Sequence, residues 1–304
     1  MSKSVVSYVQ QQAEVNVYFQ ERSSYWKDIY AASGVEAEIY RDRQAAALAW
    51  IDDLALAPGS RVLEIGCGAG FLSVALARRG LRVHAIDSTE SMVELTRRQA
   101  EESGVCDLLS VDKGNVYALS FEEGSFDLVI ALGVIPWLAE PVLAMREMVR
   151  VSKSGGHILL TADNRKRLNN TLDPWLNPLL VPIRRRVGTV LKQVGLRKRF
   201  PESMTATYHT RRFIDHSIVS IGLAKTRSMT LGFGPFTVMR RKIFSESRAI
   251  VLHHRLQRLA DRNIPFIRTT GVHYLILARK TPVFRPPELS TGAALPVPDM
   301  FKNL

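Results

Sequence analysis

The stretch Val62-Leu63-Glu64-Ile65-Gly66-Cys67-Gly68-Ala69-Gly70-Phe71 joins an apolar strand to a glycine turn and then to a helix. Glycines at alternate positions let the backbone turn tightly and approach a ligand more closely than any Cβ allows. The helix that follows opens its free N–H groups toward the same point. The spacing is G-x-G-x-G and not the dinucleotide fingerprint G-x-G-x-x-G, and Glu64 stands two residues before the first glycine, inside the strand end. A second acid, Asp87, closes the next apolar run, Leu81-Arg82-Val83-His84-Ala85-Ile86-Asp87, 17 residues after Gly70. That distance is about one helix and one returning strand, which places its carboxylate to accept from ribose hydroxyls. The stretch reads as a nucleotide cradle.

At these residues the chain resembles the class I S-adenosylmethionine-dependent methyltransferases, and the resemblance continues in order along the sequence. Ser88-Thr89-Glu90-Ser91-Met92 is similar to the family's helix start beside the ribose and adenine. Gly114-Asn115-Val116-Tyr117-Ala118-Leu119-Ser120-Phe121 resembles "GDAxxLPF", and Gly124-Ser125-Phe126-Asp127-Leu128-Val129-Ile130 resembles the "GSFDLV" strand. The run from Glu147 to Leu160 resembles the helix, "LKPGG" turn and fifth strand that follow. This similarity covers roughly residues 45–163, about two fifths of the chain. It implies S-adenosylmethionine as cofactor. It also implies a cofactor seat made of Glu64, Gly66, Gly68, Gly70, Asp87, Ser88, Met92, Asn115, Val116, Leu132 and Gly133.

Two departures from the family pattern bear on chemistry. Asn115 replaces the usual Asp, and an amide oxygen still accepts a hydrogen bond from the adenine amino group. Trp137, in Ile135-Pro136-Trp137-Leu138, stands where many small-molecule O-methyltransferases carry a histidine base. No Asn-Pro-Pro-Tyr or Asp-Pro-Pro-Tyr follows the fourth strand, so similarity to enzymes acting on exocyclic nucleobase amines is poor.

The chain has 304 residues, 46% of them hydrophobic, enough for a full core within one α/β domain and its additions. No apolar region follows Met1-Ser2-Lys3, and no uncharged apolar run is long enough to span a bilayer. A cytoplasmic protein is expected, with peripheral contact at the inner face of an anionic membrane left open. Two cysteines, Cys67 and Cys106, are expected as reduced, buried thiols; no metal site is expected.

Hydrophobic periodicity organises the remainder. Residues 1–58 read as an N-terminal helical cap, with two helices between Tyr18 and Leu54 before Pro58-Gly59 ends them. Tyr25, Tyr30 and Arg43 on this cap are candidates for the methionyl carboxylate or the substrate; the aromatics fit equally as core packing, and Arg43 as a solvated helix residue. Strands near 61–65, 82–86, 108–112, 126–131 and 157–162 alternate with helices. Such alternation predicts a Rossmann-like, doubly wound, mostly parallel sheet that binds ligands at the strand carboxyl ends. A helix near 210–223 and two strands near 226–233 and 273–279 resemble the family's closing antiparallel pair, for seven strands in all, and Glu246 to Asn263 reads as an extra helix. The core is thus expected over 59–163 and 207–280, a basic helical lid over 164–206, and a proline-rich tail over 281–304.

The formal charge is +12, and residues 165–215 hold twelve Arg or Lys against three acids, a local +9. Within this window Ile183, Val187, Val190, Leu191 and Val194 recur at helical spacing opposite Arg184, Arg185 and Lys192. Such a segment serves as a lid with an apolar inner face, as a membrane-surface helix or as an acidic-partner site. Nucleic acid is the less favoured partner, because exposed aromatics interleaved with the basic residues are missing. His209, where the chain returns from the insertion, is the first candidate for a catalytic base, although a structural role fits it as well. His253 and His254 are adjacent on a helix and are expected to face different ways; for them, and for His273 at the start of the last strand, a structural role is favoured. Phe233 and Phe236, with Trp137 and Phe71, suggest an apolar pocket. The expected function is methyl transfer, most readily to oxygen of a hydrophobic or lipid-like small molecule, in the manner of the ubiquinone-pathway methyltransferases. An RNA or protein methyltransferase recruited by the basic insertion, and a non-catalytic cofactor-binding module, are the alternatives.

Overall fold

The structure is a computed structural model that describes residues 3–174, 176–177, 180, 186, 206–239 and 241–282, with side chains from residue 11 onward. Three helices precede the sheet: α1 (Lys3–Glu21), α2 (Ser23–Asp28) and α3 (Val35–Asp52). Two were expected. The break before α3 falls at Gly34, whose φ of 119° lies outside the helical region and where a Cβ would stand 2.9 Å from the Glu246 carboxylate.

From Arg61 strand and helix alternate: β1 (Arg61–Ile65), α4 (Phe71–Ala77), β2 (Arg82–Asp87), α5 (Glu90–Glu102), β3 (Leu109–Lys113), β4 (Phe126–Ala131), α6 (Pro141–Val151) and β5 (Ser152–Asp163). After α7 (Leu168–Leu172) come α8 (Arg211–Ser220), β6 (Leu223–Leu231), the short hairpin β7 (Thr237–Val238) and β8 (Arg241–Lys242), α9 (Glu246–Asp261) and β9 (His273–Lys280). The main sheet has seven strands in the order β3-β2-β1-β4-β5-β9-β6. β1 to β5 run parallel, and β9 lies antiparallel between β5 and β6.

Successive residues of a strand point to opposite faces, and this sheet is covered on both. Leu63, Ile65, Val129, Ala131, Ile158 and Ile276 belong to one apolar cluster, while Val62, Leu128, Ile130, Leu159 and Leu275 belong to the other. That double burial explains why these strands read as continuous apolar runs in the sequence.

Differences from expectation have local causes. β5 begins at Ser152, because Lys153 to Gly156 form an irregularity within the strand, with Gly155 at φ 74°, and do not end it. β6 leaves the sheet at Leu231, since Gly232 and Gly234 take φ values of 80° and 132°. Cys67 is buried as expected, but Cys106 is exposed. The basic amphipathic segment 179–194, apart from residues 180 and 186, and the tail beyond residue 282 lie outside the described residues. Among the described residues no helix is long and apolar enough to cross a membrane.

Candidate functional site

The glycine turn sits at the carboxyl end of β1, held to β2 by the N–H groups of Gly66 and Cys67, which donate to the Ile86 carbonyl at 2.8 and 3.1 Å. Asp87, at the end of β2, closes the turn from the other side. Its Oδ2 accepts from the Gly68 N–H at 3.1 Å, and its Oδ1 accepts from the Thr89 N–H at 3.0 Å and the Thr89 hydroxyl at 2.9 Å. Gly66, Gly68 and Gly70 have φ of 69°, 57° and 81°. A Cβ on Gly66 would meet Val134 Cγ2 at 2.5 Å and one on Gly70 would meet Thr96 Cγ2 at 2.8 Å, whereas one on Gly68 would meet nothing within 4 Å. Gly68 therefore leaves space for a ligand, while Gly66 and Gly70 are required by the protein's own packing.

Burial sets the electrostatics of the two acids. It pushes the Glu64 carboxyl up to about 8, although the Ser73 hydroxyl donates to its Oε2 at 2.5 Å. Burial also raises Asp87 above the ordinary range, against the hydrogen bonds from Thr89 and Gly68.

These groups floor a cavity that extends from the glycine turn to the N-terminal helices. Of the sequence candidates, Glu64, Gly66, Gly68, Asp87, Ser88, Met92, Asn115, Val116, Leu132 and Gly133 line it, together with Tyr30, Arg43 and Trp137. Gly70 does not; it is the left-handed residue that opens α4. The Asn115 side-chain oxygen accepts from the Tyr117 N–H at 3.0 Å, which ties the amide into its own turn.

The substrate-side candidates divide. Trp137, just past β4, stacks on Tyr18 at 5.2 Å and meets Phe19 edge-on at 5.0 Å. Tyr30 lies 5.0 Å from the Phe71 ring. Tyr25 is 46% exposed and outside the cavity. Phe233 is buried in the core, its N–H donating to His253 Nδ1 at 3.0 Å, and Phe236 packs with Val35, Ile39, Ala249 and Val272. Neither phenylalanine lines the cavity. His209 stacks on Phe213 at 5.1 Å with Nε2 buried and unpaired, and its N–H donates to the Asp163 carbonyl at 2.9 Å. It stands beside the cavity wall without forming part of it.

The wall also holds Tyr40 and Asp163, which the sequence reading did not single out as site residues, and His273, for which it favoured a structural role. The Tyr40 ring carries the Arg43 guanidinium at 4.7 Å. Arg43 is buried to 7% exposure; its Nη2 donates to the Tyr30 hydroxyl at 3.4 Å, and its Nε has no partner. An unpaired buried donor on a cation is costly, so this corner suits an anionic group such as a carboxylate.

His253 and His254 do not face apart as expected. Their rings are 5.0 Å from one another, and they bond Asp42 and Glu38 on α3 at 2.9 and 3.1 Å. Asp42, His253 and His254 bring ligand atoms within 4.8 Å, but His253 Nδ1 accepts from Phe233, so its Nε2 holds the proton that Asp42 accepts. That pattern ties α9 to α3 and uses the lone pair an ion would need.

A doubly wound sheet with a glycine turn after β1, an acid ending β2 and a cavity across the carboxyl ends is the arrangement expected of a class I S-adenosylmethionine-dependent methyltransferase domain. Residues 63–160 match the family described as a methyltransferase domain. The chain is 38% identical over 119 residues to the ubiquinone biosynthesis O-methyltransferase of Pseudomonas aeruginosa (strain UCBPP-PA14), a match covering 38% of this chain and 50% of that protein. The protein of the same name from Hahella chejuensis (strain KCTC 2396) is 36% identical over 121 residues, covering 39% and 49%. The chain spans about half the length of these curated relatives. Among solved structures, magnesium protoporphyrin IX methyltransferase from Synechocystis PCC 6803 with bound SAH superposes with a TM-score of 0.60 at 17% identity, covering 89% of this chain and 100% of that one. The [4+2]-cyclase SpnF gives a TM-score of 0.56 at 16% identity, covering 88% and 95%. At such identities the likeness is one of fold.

The cavity residues fit the cofactor of this class, given open space over Gly68, a buried acceptor in Asp87 and an unsatisfied cation in Arg43. Asp87→Ala is expected to weaken S-adenosylmethionine binding about 10- to 150-fold, because hydrogen bonds to a charged group contribute about 1.5–3 kcal/mol. Titration calorimetry reads the change directly, and full affinity in the variant would place the ribose elsewhere.

Proposed function

We propose that the chain is an S-adenosylmethionine-dependent methyltransferase acting on an oxygen of a hydrophobic, phenol-like small molecule. The observation that carries this reading is the wall of Phe19, Trp26, Tyr30, Tyr40 and Trp137 facing the glycine turn across one cavity. An aromatic wall removes apolar substrate surface from water and packs flat rings; a sugar or a bare phosphate gains little there. The named activity of the Pseudomonas and Hahella relatives supports the same class of acceptor.

When bound, the cofactor supplies an electrophilic methyl carbon on a sulfonium. Glu64, the turn from Gly66 to Gly68 and Asp87 would hold its nucleoside and methionyl parts, and Arg43 would receive the carboxylate. Tyr30 and Trp137, in the wall beside that seat, would pack against an acceptor ring and orient it. Near-attack alignment accounts for much of the rate in such displacements.

The test is methyl-labelled cofactor offered in parallel to prenylated catechols, fatty acids and total RNA. Label in the catechol O-methyl product is expected. Label in RNA would establish the alternative recruited by the 165–215 charge, and cofactor binding with no transfer to any acceptor would reduce the chain to a binding module.

A further inference from the structure

β5 and β9 end at the same place from opposite directions. Their antiparallel register sets Asp163, the last residue of β5, directly across from His273, the first residue of β9. Asp163 Oδ1 lies 3.1 Å from His273 Nδ1, and both residues line the cavity. Thr161, two positions earlier and on the same strand face, accepts from the Gly133 N–H at 2.7 Å, which puts this end of β5 against the loop that walls the cofactor seat. The Arg43 guanidinium comes within 3.0 Å of where a Gly133 Cβ would stand and acts on both members of the pair.

The groups facing His273 are Asp163 on β5, Arg43 and Tyr40 on α3, and Arg167 beyond β5. Burial, joined by the two arginines, holds the imidazole below its ordinary pKa against the pull of Asp163. Burial also works to raise Asp163, but the hydrogen bond from His273, joined by the charges of Arg167 and Arg43, outweighs it and keeps the acid ionised. A neutral imidazole beside an ionised carboxylate donates its Nδ1 proton to that carboxylate, which leaves the lone pair on Nε2.

We propose that His273 is the general base that deprotonates the acceptor hydroxyl and that Asp163 is its positioning residue, an assignment that rests on the methyltransferase reading above. The hydroxyl proton passes to His273 Nε2 as an oxygen lone pair forms the O–CH3 bond. Sulfur keeps the electron pair of the bond that breaks, S-adenosylhomocysteine departs, and the imidazolium returns its proton to water. A catechol hydroxyl is a weak acid, so this transfer matters at neutral pH, and it ceases to matter for an acceptor already ionised.

The experiment compares wild type, His273→Asn and Asp163→Asn. Calorimetry should show cofactor affinity unchanged in all three. With a simple catechol, His273→Asn should lower kcat about 100-fold or more, and Asp163→Asn about tenfold or more with KM little changed. The rising limb of kcat against pH should vanish in His273→Asn, and most of the loss should disappear with a nitrocatechol that is ionised at the assay pH. Independently of turnover, nitrogen-15 spectra of the wild type should show His273 protonated on Nδ1, and Asp163→Asn should shift that tautomer. Undiminished kcat in His273→Asn, or an equal loss on the ionised acceptor, overturns the base assignment alone. A wild type that binds cofactor but methylates no catechol overturns the underlying reading and the base with it.

Discussion

Gly66→Val should abolish measurable binding of S-adenosylmethionine and S-adenosylhomocysteine, a loss of more than about 100-fold, or over about 2.7 kcal/mol. Gly66 holds φ at 69°, a region in which a β-branched residue is a genuine outlier, and a Cβ there would come 2.5 Å from Val134 Cγ2. Relief requires displacing the segment after β4, which carries Pro136 and Trp137 into the cavity wall. The damage thus reaches both halves of the site. Gly68→Ala is the companion variant, because its Cβ meets no protein atom within 4 Å, which leaves the positive φ of 57° as its one cost to the fold. It should fold, lose affinity and leave the Gly66 packing intact. Calorimetry together with circular dichroism separates the two effects, and wild-type affinity in either variant would mean the cradle is not the cofactor seat.

Glu64 makes the ligand-free protein sensitive to alkali. Burial, aided by the charge of Asp87, raises its carboxyl from 4.5 to about 8 despite the Ser73 hydrogen bond. A carboxyl whose folded pKa exceeds its unfolded value favours the fold while protonated. Its contribution is complete below about 4.5 and is lost as pH climbs through about 8. At about 1.4 kcal/mol per pKa unit the span is on the order of 3–5 kcal/mol. Thermal melts of wild type should show Tm falling between about pH 5 and about pH 9 beyond what other groups produce, and Glu64→Gln, neutral throughout, should flatten that component. Identical slopes in the two proteins would show that Glu64 ionises normally in the fold.

The readable parts of this protein are those whose physics is local. The double-faced burial of β1 and β4 writes itself as apolar runs, and the turn at Gly66 and Gly68 needs residues that no other type replaces at positive φ. Asp87 was legible for the same reason, being one helix and one strand beyond the turn. Asp163 was not, and His273 was read only as a structural histidine, since their importance comes from meeting across the sheet, 110 positions apart in the chain. A signal did exist, for the expected fifth strand ends at residue 162 and the expected last strand begins at residue 273, so laying the two antiparallel side by side brings those ends together. Phe233 misled because its aromatic character suggested a pocket, while the backbone around it sends the ring into the core and its amide to His253.

The pairing of β5 with β9 also separates two kinds of inheritance. Asp163 meets His273 because seven consecutive residue pairs hold the strands in register, from His157 with Arg279 to Asp163 with His273. Within the chain that joins them, β6 pairs with β9 along its other edge, from Leu223 with Lys280 to Leu231 with His273, and braces the same alignment. A lineage that keeps β5, β6 and β9 can therefore change the loops between them while the proton-handling pair is passed on unaltered. Grafting loops onto conserved strands is the natural way to trade acceptors without rebuilding the chemistry.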